Sequence, residues 1–275
     1  MADGEKRMSD TSGGNSVVRY NRDLLLYGPK RDEMLSLEEV RRYGEDSFGN
    51  PDYIKVYGLT PPQWYARGIR MLGRTAVECT RDELGDRIGR DIAAVAARMP
   101  SRRFCTIIDP FAGSCNTLFW ALQHLPNSRG VAFELDPHVY ELTASNVASL
   151  GAPIKLHFGD YQSLLPETDI PPDNDIVCFL APPWGKALDE TVGLDLCGTQ
   201  PPITEIVGFL DRTFAKRRLL LAVQVYEKVD PVSLAVVRDM LEWSELRTYD
   251  LNLAGKNHGL LIGTKRWRPE APQPR

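Results

Sequence analysis

The sequence is poor in the residues that build metal and disulfide sites. Its 275 residues include four histidines and five cysteines, an odd number. No two cysteines form a CxxC pair. These counts argue against disulfide scaffolds and zinc modules, and no metal site is predicted. Free thiols are typical of a reduced compartment, so a cytoplasmic protein is expected.

Long apolar runs and an excess of basic residues are also missing. The longest apolar stretches, such as 219–225, are far shorter than the roughly 20 residues that cross a bilayer. Thirty-three Lys and Arg stand against 37 Asp and Glu, a formal charge of -4. Proteins that hold long nucleic acids usually carry a basic excess, because phosphate neutralisation supplies much of their affinity. A membrane partner is therefore not expected, and a small molecule is favoured over RNA.

What is present is an ordinary globular composition, 43% hydrophobic and 25% charged. Before residue 100 the pattern is helical: Ser36 and Glu39 form a capping box for a helix over 35–43. Further helices are expected over 63–72, opened by a Thr-Pro-Pro turn, and over the amphipathic run 82–98. The predicted organisation is a disordered start (1–16), a mainly helical extension or lid (17–100), an α/β domain (101–268) and a disordered tail (269–275).

From residue 104 short apolar strands alternate with helical stretches. Strands are predicted over 104–108, 130–133, 154–158, 175–180, 219–225, 246–251 and 258–264, and helices over 117–125, 137–150 and 233–241. This alternation predicts an α/β fold with a doubly wound, mostly parallel, seven-stranded Rossmann-like sheet. Its last two strands are expected to be an antiparallel pair at the edge.

In such a sheet ligands bind where the carboxyl ends of the strands meet the following loops. The first predicted strand is followed by Asp109 and a small-residue loop through Gly113 that leads into a helix. This arrangement lets the backbone approach a ligand and directs helix N–H groups towards it. A simple tight turn is the alternative interpretation.

The next two predicted strands also end in acids. Glu134 follows that loop by about 20 residues, a spacing typical of a carboxylate that binds ribose hydroxyls. Asp160 either accepts a hydrogen bond from an adenine amino group or caps its own turn. Asp136 is best explained as the N-cap before Pro137. Each acid alone is a weak signal, but three at successive strand ends favour a nucleotide-like ligand.

The fourth predicted strand ends in the sequence Ala181-Pro182-Pro183-Trp184. Two prolines stiffen the turn and have no N–H group, so the turn is expected to leave carbonyls unpaired. The Trp184 ring is suited to stacking, or to a cation–π contact with a sulfonium or a cationic heterocycle. The alternative is a buried tryptophan that closes the end of the sheet.

Together these segments resemble the class I methyltransferases that use S-adenosylmethionine. The stretch 109–117 (DPFAGSCNT) is similar to their first, cofactor-binding motif, and 181–184 (APPW) to their fourth, catalytic motif. Within this class the chain resembles the trimethylguanosine synthase family, which N2-methylates the guanine of capped RNA. That resemblance covers about residues 50–265 and includes the segments KVYGLTP, FELDP, FGDY, FLAPPWG and DETVGLDL.

The resemblance implies S-adenosylmethionine as cofactor, S-adenosylhomocysteine as product, and a role for each matching residue. Asp109, Phe111, Gly113, Asn116 and Thr117 would hold the methionine part of the cofactor, Glu134 the ribose and Asp160 the adenine, with Thr60 and Pro61 closing over the methionine end. Trp184 would stack on the ring of the acceptor. The carbonyl of Pro182 would accept a hydrogen bond from the nitrogen that is methylated.

Two residues depart from the family pattern. Ala181 stands where many related N-methyltransferases carry Asp, Asn or Ser, so only backbone carbonyls can accept a hydrogen bond there. Cys115 stands where the related loops usually have Gly, and its Cβ narrows the loop.

Were the acceptor atom a carbon, a general base would be needed. Asp189 and Glu190 are the nearest candidates, and a solvated loop is the alternative for both.

The expected function is methyl transfer to a small-molecule or nucleotide-like acceptor, on a heterocycle nitrogen or on carbon, as in specialised metabolism. Methylation of guanine in an RNA cap is the second hypothesis, favoured by the family resemblance. A catalytically silent, cofactor-binding partner protein is the third, suggested by Ala181.

Basic clusters at 41–42, 102–103, 216–218 and 265–268 are interpreted as solvated ends of helices and strands. The aromatic segment 43–65 is interpreted equally as a lid or as the packing face of the extension.

Overall fold

A computed structural model of the chain describes residues 19–99, 104–251 and 257–270. The predicted disordered start, most of the predicted tail and the basic pair 102–103 lie outside the described residues. The described strands are, in chain order, β1 (Cys105–Asp109), β2 (Arg129–Glu134), β3 (Ile154–Phe158), β4 (Asp175–Leu180), β5 (Leu188–Asp189), β6 (Gly193–Leu194), β7 (Leu219–Tyr226), β8 (Trp243–Tyr249) and β9 (His258–Lys265).

Seven of these strands form one sheet, in the order β3-β2-β1-β4-β7-β9-β8. The strands β3, β2, β1, β4 and β7 run parallel to their neighbours, whereas β9 is antiparallel to both β7 and β8. The two short strands β5 and β6 form a separate antiparallel hairpin. The predicted fold class, a mostly parallel seven-stranded sheet with an antiparallel edge, is confirmed.

Helices precede the sheet and connect its strands. They are α1 (Arg22–Leu26), α2 (Leu37–Phe48), α3 (Pro61–Ala66), α4 (Gly73–Glu78), α5 (Asp82–Ala96), α6 (Asn116–His124), α7 (Pro137–Leu150), α8 (Tyr161–Leu164), α9 (Ile203–Thr213) and α10 (Pro231–Asp239), with short 3₁₀ turns at Leu165–Glu167 and Gly185–Ala187. None of the helices in the described part of the chain has the length and apolarity to cross a membrane.

Two hydrophobic cores lie on the two faces of the sheet. On one face, α5, α6 and α7 cover residues such as Ile107, Val177 and Leu220. On the other face, α8, α9 and α10 pack on residues such as Ile108 and Cys178. Strands β4 and β7 are buried along their whole length. This is the burial expected of parallel strands that are covered on both faces.

The N-terminal extension has a third core of its own. The aromatic segment 43–65 contributes to it, because Tyr43, Tyr57 and Trp64 are each at most 4% exposed. Of the two interpretations of this segment, the structure places these side chains in the packing face. Helix α5 does not belong to this third core and packs on one face of the sheet. The predicted domain boundary at residue 100 lies after α5, and that boundary stays a prediction.

Most predicted elements are present with shifts of a few residues at their ends. The capping box of α2 is confirmed, with Ser36 Oγ accepting from the Glu39 N–H and Glu39 accepting from the Ser36 N–H. The helix predicted over 63–72 instead spans Pro61–Ala66. It ends because Gly68 takes a left-handed conformation, with φ +82°. Helix α9 was not predicted.

Helices α5 and α6 approach each other closely through two glycines. An ideal Cβ added at Gly85 would lie 2.8 Å from the ring of Trp120, and one at Gly89 would lie 2.8 Å from the Trp120 carbonyl oxygen. In α9, a Cβ on Gly208 would meet only the end of the flexible Arg212 side chain, at 3.4 Å. Glycine is therefore required at the α5–α6 contact but not in α9.

We predict that Gly89→Ala lowers the free energy of unfolding by about 1–3 kcal/mol, because backbone must shift to admit the methyl group. Gly208→Ala is the matched control and should raise it by up to about 1 kcal/mol through helix propensity. Urea denaturation followed by circular dichroism measures both changes. Equal effects of the two substitutions would contradict the close helix contact.

Candidate active site

The strand ends chosen from the sequence lie along one edge of the sheet. Asp109 ends β1 beside Ala132 of β2, and Glu134 ends β2 beside Phe158 of β3. The Pro-Pro-Trp turn follows β4, which is the other neighbour of β1. The first loop, the two strand-end acids, Asp160 and the turn at Trp184 therefore line the carboxyl edge of the parallel strands, as expected for a ligand site.

Glu134 fastens the first loop to the end of β2. Its Oε2 accepts a hydrogen bond from the Gly113 N–H at 2.9 Å, and its Oε1 accepts one from the Asp136 N–H at 2.9 Å. Gly113 has φ +47°, and a Cβ added there would meet no atom closer than 4.0 Å. The loop therefore presents open backbone surface at this point, and glycine is required by the backbone conformation.

Asp109 lies buried behind this loop. It is 2% exposed, and its Oδ1 accepts a hydrogen bond from the Phe111 N–H at 3.0 Å. Burial raises the pKa of Asp109 to about 7, and the nearby charge of Glu134 adds to the shift. Burial also raises the pKa of Glu134, although the N–H donors around it oppose the change. Burial therefore disfavours the ionised form of both carboxyl groups, and a positive charge placed beside them would lower their pKa values.

Cys115 and Thr117 connect the loop to α6. Cys115 is 1% exposed and takes the left-handed conformation, with φ 57°, which glycine adopts at lower cost. Its N–H donates to the Ala112 carbonyl at 2.6 Å. Thr117 is buried in the first turn of α6. The position at which related loops usually have Gly therefore has the backbone conformation that favours Gly.

Asn116 joins the loop to the N-terminal extension. Its Oδ1 accepts from the Tyr57 N–H at 2.7 Å, and its Nδ2 donates to the Thr80 carbonyl at 2.7 Å and to Asp82 Oδ1 at 3.1 Å. The family resemblance implies that Asn116 is a cofactor ligand. In this structure its side-chain amide links three segments of the protein, and a role towards the cofactor stays a prediction.

Asp82 is the centre of this junction. Its Oδ1 also accepts from Trp120 Nε1 at 2.7 Å, and its Oδ2 accepts from the Gly58 N–H at 3.0 Å. Tyr57, with φ 58°, donates its hydroxyl to the Ser114 carbonyl. Sequence reasoning missed both residues as parts of the site. Only the position of Asp82 at a helix start and of Tyr57 inside the KVYGLTP segment hinted at them.

Further contacts hold the extension on α7, and a local cap begins α3. Asn146 exchanges two hydrogen bonds with the backbone of Arg70, and Arg74 pairs with Asp136 at 2.5 Å. Asp136 is also the N-cap of α7, as predicted. The remaining two predicted site residues of the extension open α3: the Thr60 N–H and Oγ1 both donate to Gln63 Oε1, and Pro61 is buried.

The Pro-Pro-Trp turn presents a half-buried aromatic ring. The Trp184 ring lies 5.6 Å from that of His258 and 6.3 Å from that of Tyr226, centroid to centroid. Ala181 is half-buried and Pro182 buried. No donor in the described part of the chain reaches the Pro182 carbonyl. The turn therefore has the two features expected from the sequence, an aromatic ring and a Pro182 carbonyl without a donor among the described residues.

Asp160 and Glu190 lie at the surface. Asp160 is the N-cap of α8, its Oδ1 accepting from the Gln162 N–H at 3.0 Å, so the capping role weighed from the sequence is observed. Glu190 lies in the exposed turn between β5 and β6. Burial raises the pKa of Tyr226, and the charges of Glu227 and Glu190 add to the shift. Asp189 accepts two backbone N–H bonds within that turn. No cluster of three potential metal ligands occurs within 19–99, 104–251 and 257–270.

Comparison with known proteins yields fold likenesses only. No family model and no curated protein matches the chain. A Listeria monocytogenes protein provisionally assigned as a class I S-adenosylmethionine-dependent methyltransferase matches 69% of this chain, and the match spans 62% of that protein, with 15% identity and a TM-score of 0.48. The human methyltransferase 10 domain containing protein matches 67% of this chain, and the match spans 84% of that protein, with 15% identity and a TM-score of 0.45. Precorrin-6y C5,15-methyltransferase from Geobacter metallireducens matches 69% of this chain, and the match spans 90% of that protein, with 16% identity and a TM-score of 0.40. These likenesses are weak, so the function proposed below depends on the residues of this chain.

We predict that Asp109→Asn stabilises the protein at high pH. Asn retains the acceptor for the Phe111 N–H and removes a buried charge. Because the pKa of Asp109 rises on folding from 3.8 to about 7, the contribution of Asp109 to the stability of the unmodified protein should fall as pH rises between those values. The variant should lack this slope and gain at most about 4 kcal/mol above pH 7, at about 1.4 kcal/mol per pKa unit.

Urea denaturation at pH 5 and pH 8 measures the difference between the two proteins. Asp173→Asn, at an exposed position, is the matched control for the removal of one carboxylate. A variant of Asp109 that is less stable than the unmodified protein at pH 8 would show that the carboxylate is not a destabilising charge.

Proposed function

We propose that this chain is an S-adenosylmethionine-dependent methyltransferase that acts on a small-molecule or nucleotide-like acceptor, at a nitrogen of a heterocycle. The observation that carries the proposal is the convergence of the Gly113 loop, the acids Asp109 and Glu134 and the Trp184 turn on three adjacent strand ends. The resemblance of the same segments to the motifs of class I methyltransferases supports it.

The residues present fit the cofactor. The open surface at Gly113 admits close approach of a ligand to the backbone. Both oxygens of Glu134 accept one backbone N–H each, and a carboxylate oxygen has lone pairs left for ribose hydroxyls. The raised pKa values of Asp109 and Glu134 mean that ionisation there is unfavourable without a partner. A neighbouring positive charge would favour their ionised forms.

When bound, the cofactor would supply a methyl group activated on a sulfonium. The chain's part is to position the acceptor. The Trp184 ring would hold a planar heterocycle by stacking. The Pro182 carbonyl would accept a hydrogen bond from the amino group of the acceptor, which orients the nitrogen lone pair. Positioning of this kind contributes roughly 7–11 kcal/mol in favourable cases. For a carbon acceptor, Glu190 would be the nearest candidate base.

Removing the Glu134 carboxylate should weaken cofactor binding. We expect S-adenosylmethionine to bind the unmodified protein, and Glu134→Ala to weaken binding by at least about tenfold, because both the ribose partner and the Gly113 anchor are lost. Glu141→Ala, at an exposed position of α7, is the matched control. Isothermal titration calorimetry on folded samples measures all three affinities. No binding to the unmodified, folded protein would refute the proposal.

RNA guanine methylation is the second candidate, and the positions of basic residues in two of the four clusters, 216–218 and 265–268, count against it. Arg217 donates to the carbonyls of Ile170 and Pro171, and Arg218 pairs with Asp175 at 2.9 Å. Lys265 and Arg266 both pair with Asp211, and all of these cations lie where β4 and β7 begin and β9 ends. That edge is opposite the candidate site, and the cations are engaged within the protein.

We therefore expect short capped and uncapped RNAs to bind weakly, with an affinity that changes little between 50 and 200 mM salt. An enzyme that neutralised six or more phosphates would lose about 10³-fold or more over that interval. Fluorescence anisotropy with labelled RNA measures the salt slope. A steep slope together with tight binding of capped RNA would favour the second candidate.

The third candidate, a silent cofactor-binding partner protein, is motivated by Ala181 alone. The retained Pro-Pro-Trp turn and the strand-end acids oppose it. Cofactor binding without turnover on any acceptor would support it.

A further inference from the structure

A line of contacts connects the Trp184 turn with the start of α5. The ring of His258 lies beside that of Trp184, and its Nδ1 faces Gln224 Nε2 at 3.5 Å. Gln224 Oε1 accepts in turn from Thr80 Oγ1 at 3.1 Å. The next residue is Arg81, the N-cap of α5. The wall facing the proposed acceptor ring therefore continues from β9 and β7 to Arg81 of the N-terminal half.

The guanidinium of Arg81 is held against two aromatic rings. Its central carbon lies over the Tyr53 ring, 4.2 Å from the ring centroid, and 5.5 Å from the centroid of Phe48. The two rings stack on each other at 3.7 Å and 18°. A guanidinium held by aromatic rings keeps its N–H groups in a fixed planar array. Such an array binds a carboxylate or phosphate with little further loss of freedom.

Arg81 makes no ion pair with any acid among the described residues. The two acids next to it in sequence are engaged elsewhere: Asp82 at the junction with Asn116, and Glu83 with Arg87 at 2.8 Å. Its charge nevertheless acts at the site, because it adds to burial in lowering the pKa of His258 to about 4, against the opposing charge of Glu227. A half-buried cation therefore lies at the end of this line of contacts, and no acid among the described residues pairs with it.

We propose that Arg81 binds an anionic group, a phosphate or a carboxylate, carried by the methyl acceptor whose ring stacks on Trp184. This inference rests on the proposed function and specifies its substrate class: planar heterocycles that carry an anionic substituent. The site then has two electrostatic halves. Asp109 and Glu134 lie on the side of the cationic cofactor, and Arg81 lies on the side of an anionic acceptor.

The test is a titration of the protein with anions alone, followed by NMR at the Nε–H groups of its arginines. The probes are inorganic phosphate and acetate, at ionic strength matched with chloride. The Nε–H signal of Arg81 should shift with a saturable midpoint in the millimolar range, whereas that of Arg90, an exposed cation on the same helix, should not saturate. Tighter binding of phosphate would indicate a phosphate-bearing acceptor, and tighter binding of acetate a carboxylate.

Variants locate the effect and separate it from cofactor binding. Arg81→Lys keeps the charge without the planar array and should weaken anion binding by several fold, while Arg90→Met should not change it. All of these proteins should bind S-adenosylmethionine as the unmodified protein does. If the Nε–H signal of Arg81 shifts no more than that of Arg90 with either anion, the inference is overturned. This outcome can be seen with the unmodified protein, without any variant. If Arg81 saturates with phosphate but the cofactor does not bind, the methyltransferase proposal fails and the anion site remains.

Discussion

The carboxylate of Asp82 is the contact on which the arrangement of the site depends. It accepts hydrogen bonds from Gly58 of the extension, from the Asn116 side chain at the end of the first loop, and from Trp120 of α6. Without it, the buried amide of Asn116 would lose one of its partners. The Trp120 N–H would lose the acceptor that the structure gives it. Because leaving such groups unpaired is costly, the extension and the loop are held in one relative position.

This junction explains why the extension is part of the site. A lid that opens and closes would be expected to have few buried contacts with the body it covers. Here the Tyr57 backbone and hydroxyl are buried against the loop, and Arg74 reaches Asp136 at the N-terminus of α7. The same junction places Arg81 next to the wall of the site. A change in how the extension packs would therefore alter the loop and the acceptor side together.

How much of this could be predicted from the sequence depends on the range of the interactions. The strands, α7 and the strand-end acids follow from local patterns of apolar residues and turns, and Asp109, Glu134 and Trp184 were identified correctly as residues at one edge of the sheet. The contacts of Tyr57 with Asn116 and of Thr80 with Gln224 join residues 59 and 144 positions apart. Periodicity and spacing carry no information about such pairs.

At Asn116, the role that the family resemblance implies differs from the contacts that the structure shows. Its residue type and position match the family motif, and the resemblance therefore assigns it to the cofactor. Its amide nevertheless has partners in Tyr57, Thr80 and Asp82. A motif residue of this kind would serve the proposed cofactor site by fixing the position of the loop. The same reasoning extends to Glu134, which anchors the loop through Gly113 and still has lone pairs for a ligand.

Ala181 has no side-chain atom that accepts a hydrogen bond. The orientation of the methyl acceptor therefore depends more on the other residues that would contact it. In a site with Asp, Asn or Ser at that position, one side chain could orient the amine of the acceptor directly. Here the Pro182 carbonyl alone would make that contact, and a single hydrogen bond does not fix the orientation of a planar ring. Stacking on Trp184 restricts the ring to a plane but permits rotation within it. A second polar contact at a distance from the reacting nitrogen removes that freedom, and an anion held by Arg81 is suited to provide it.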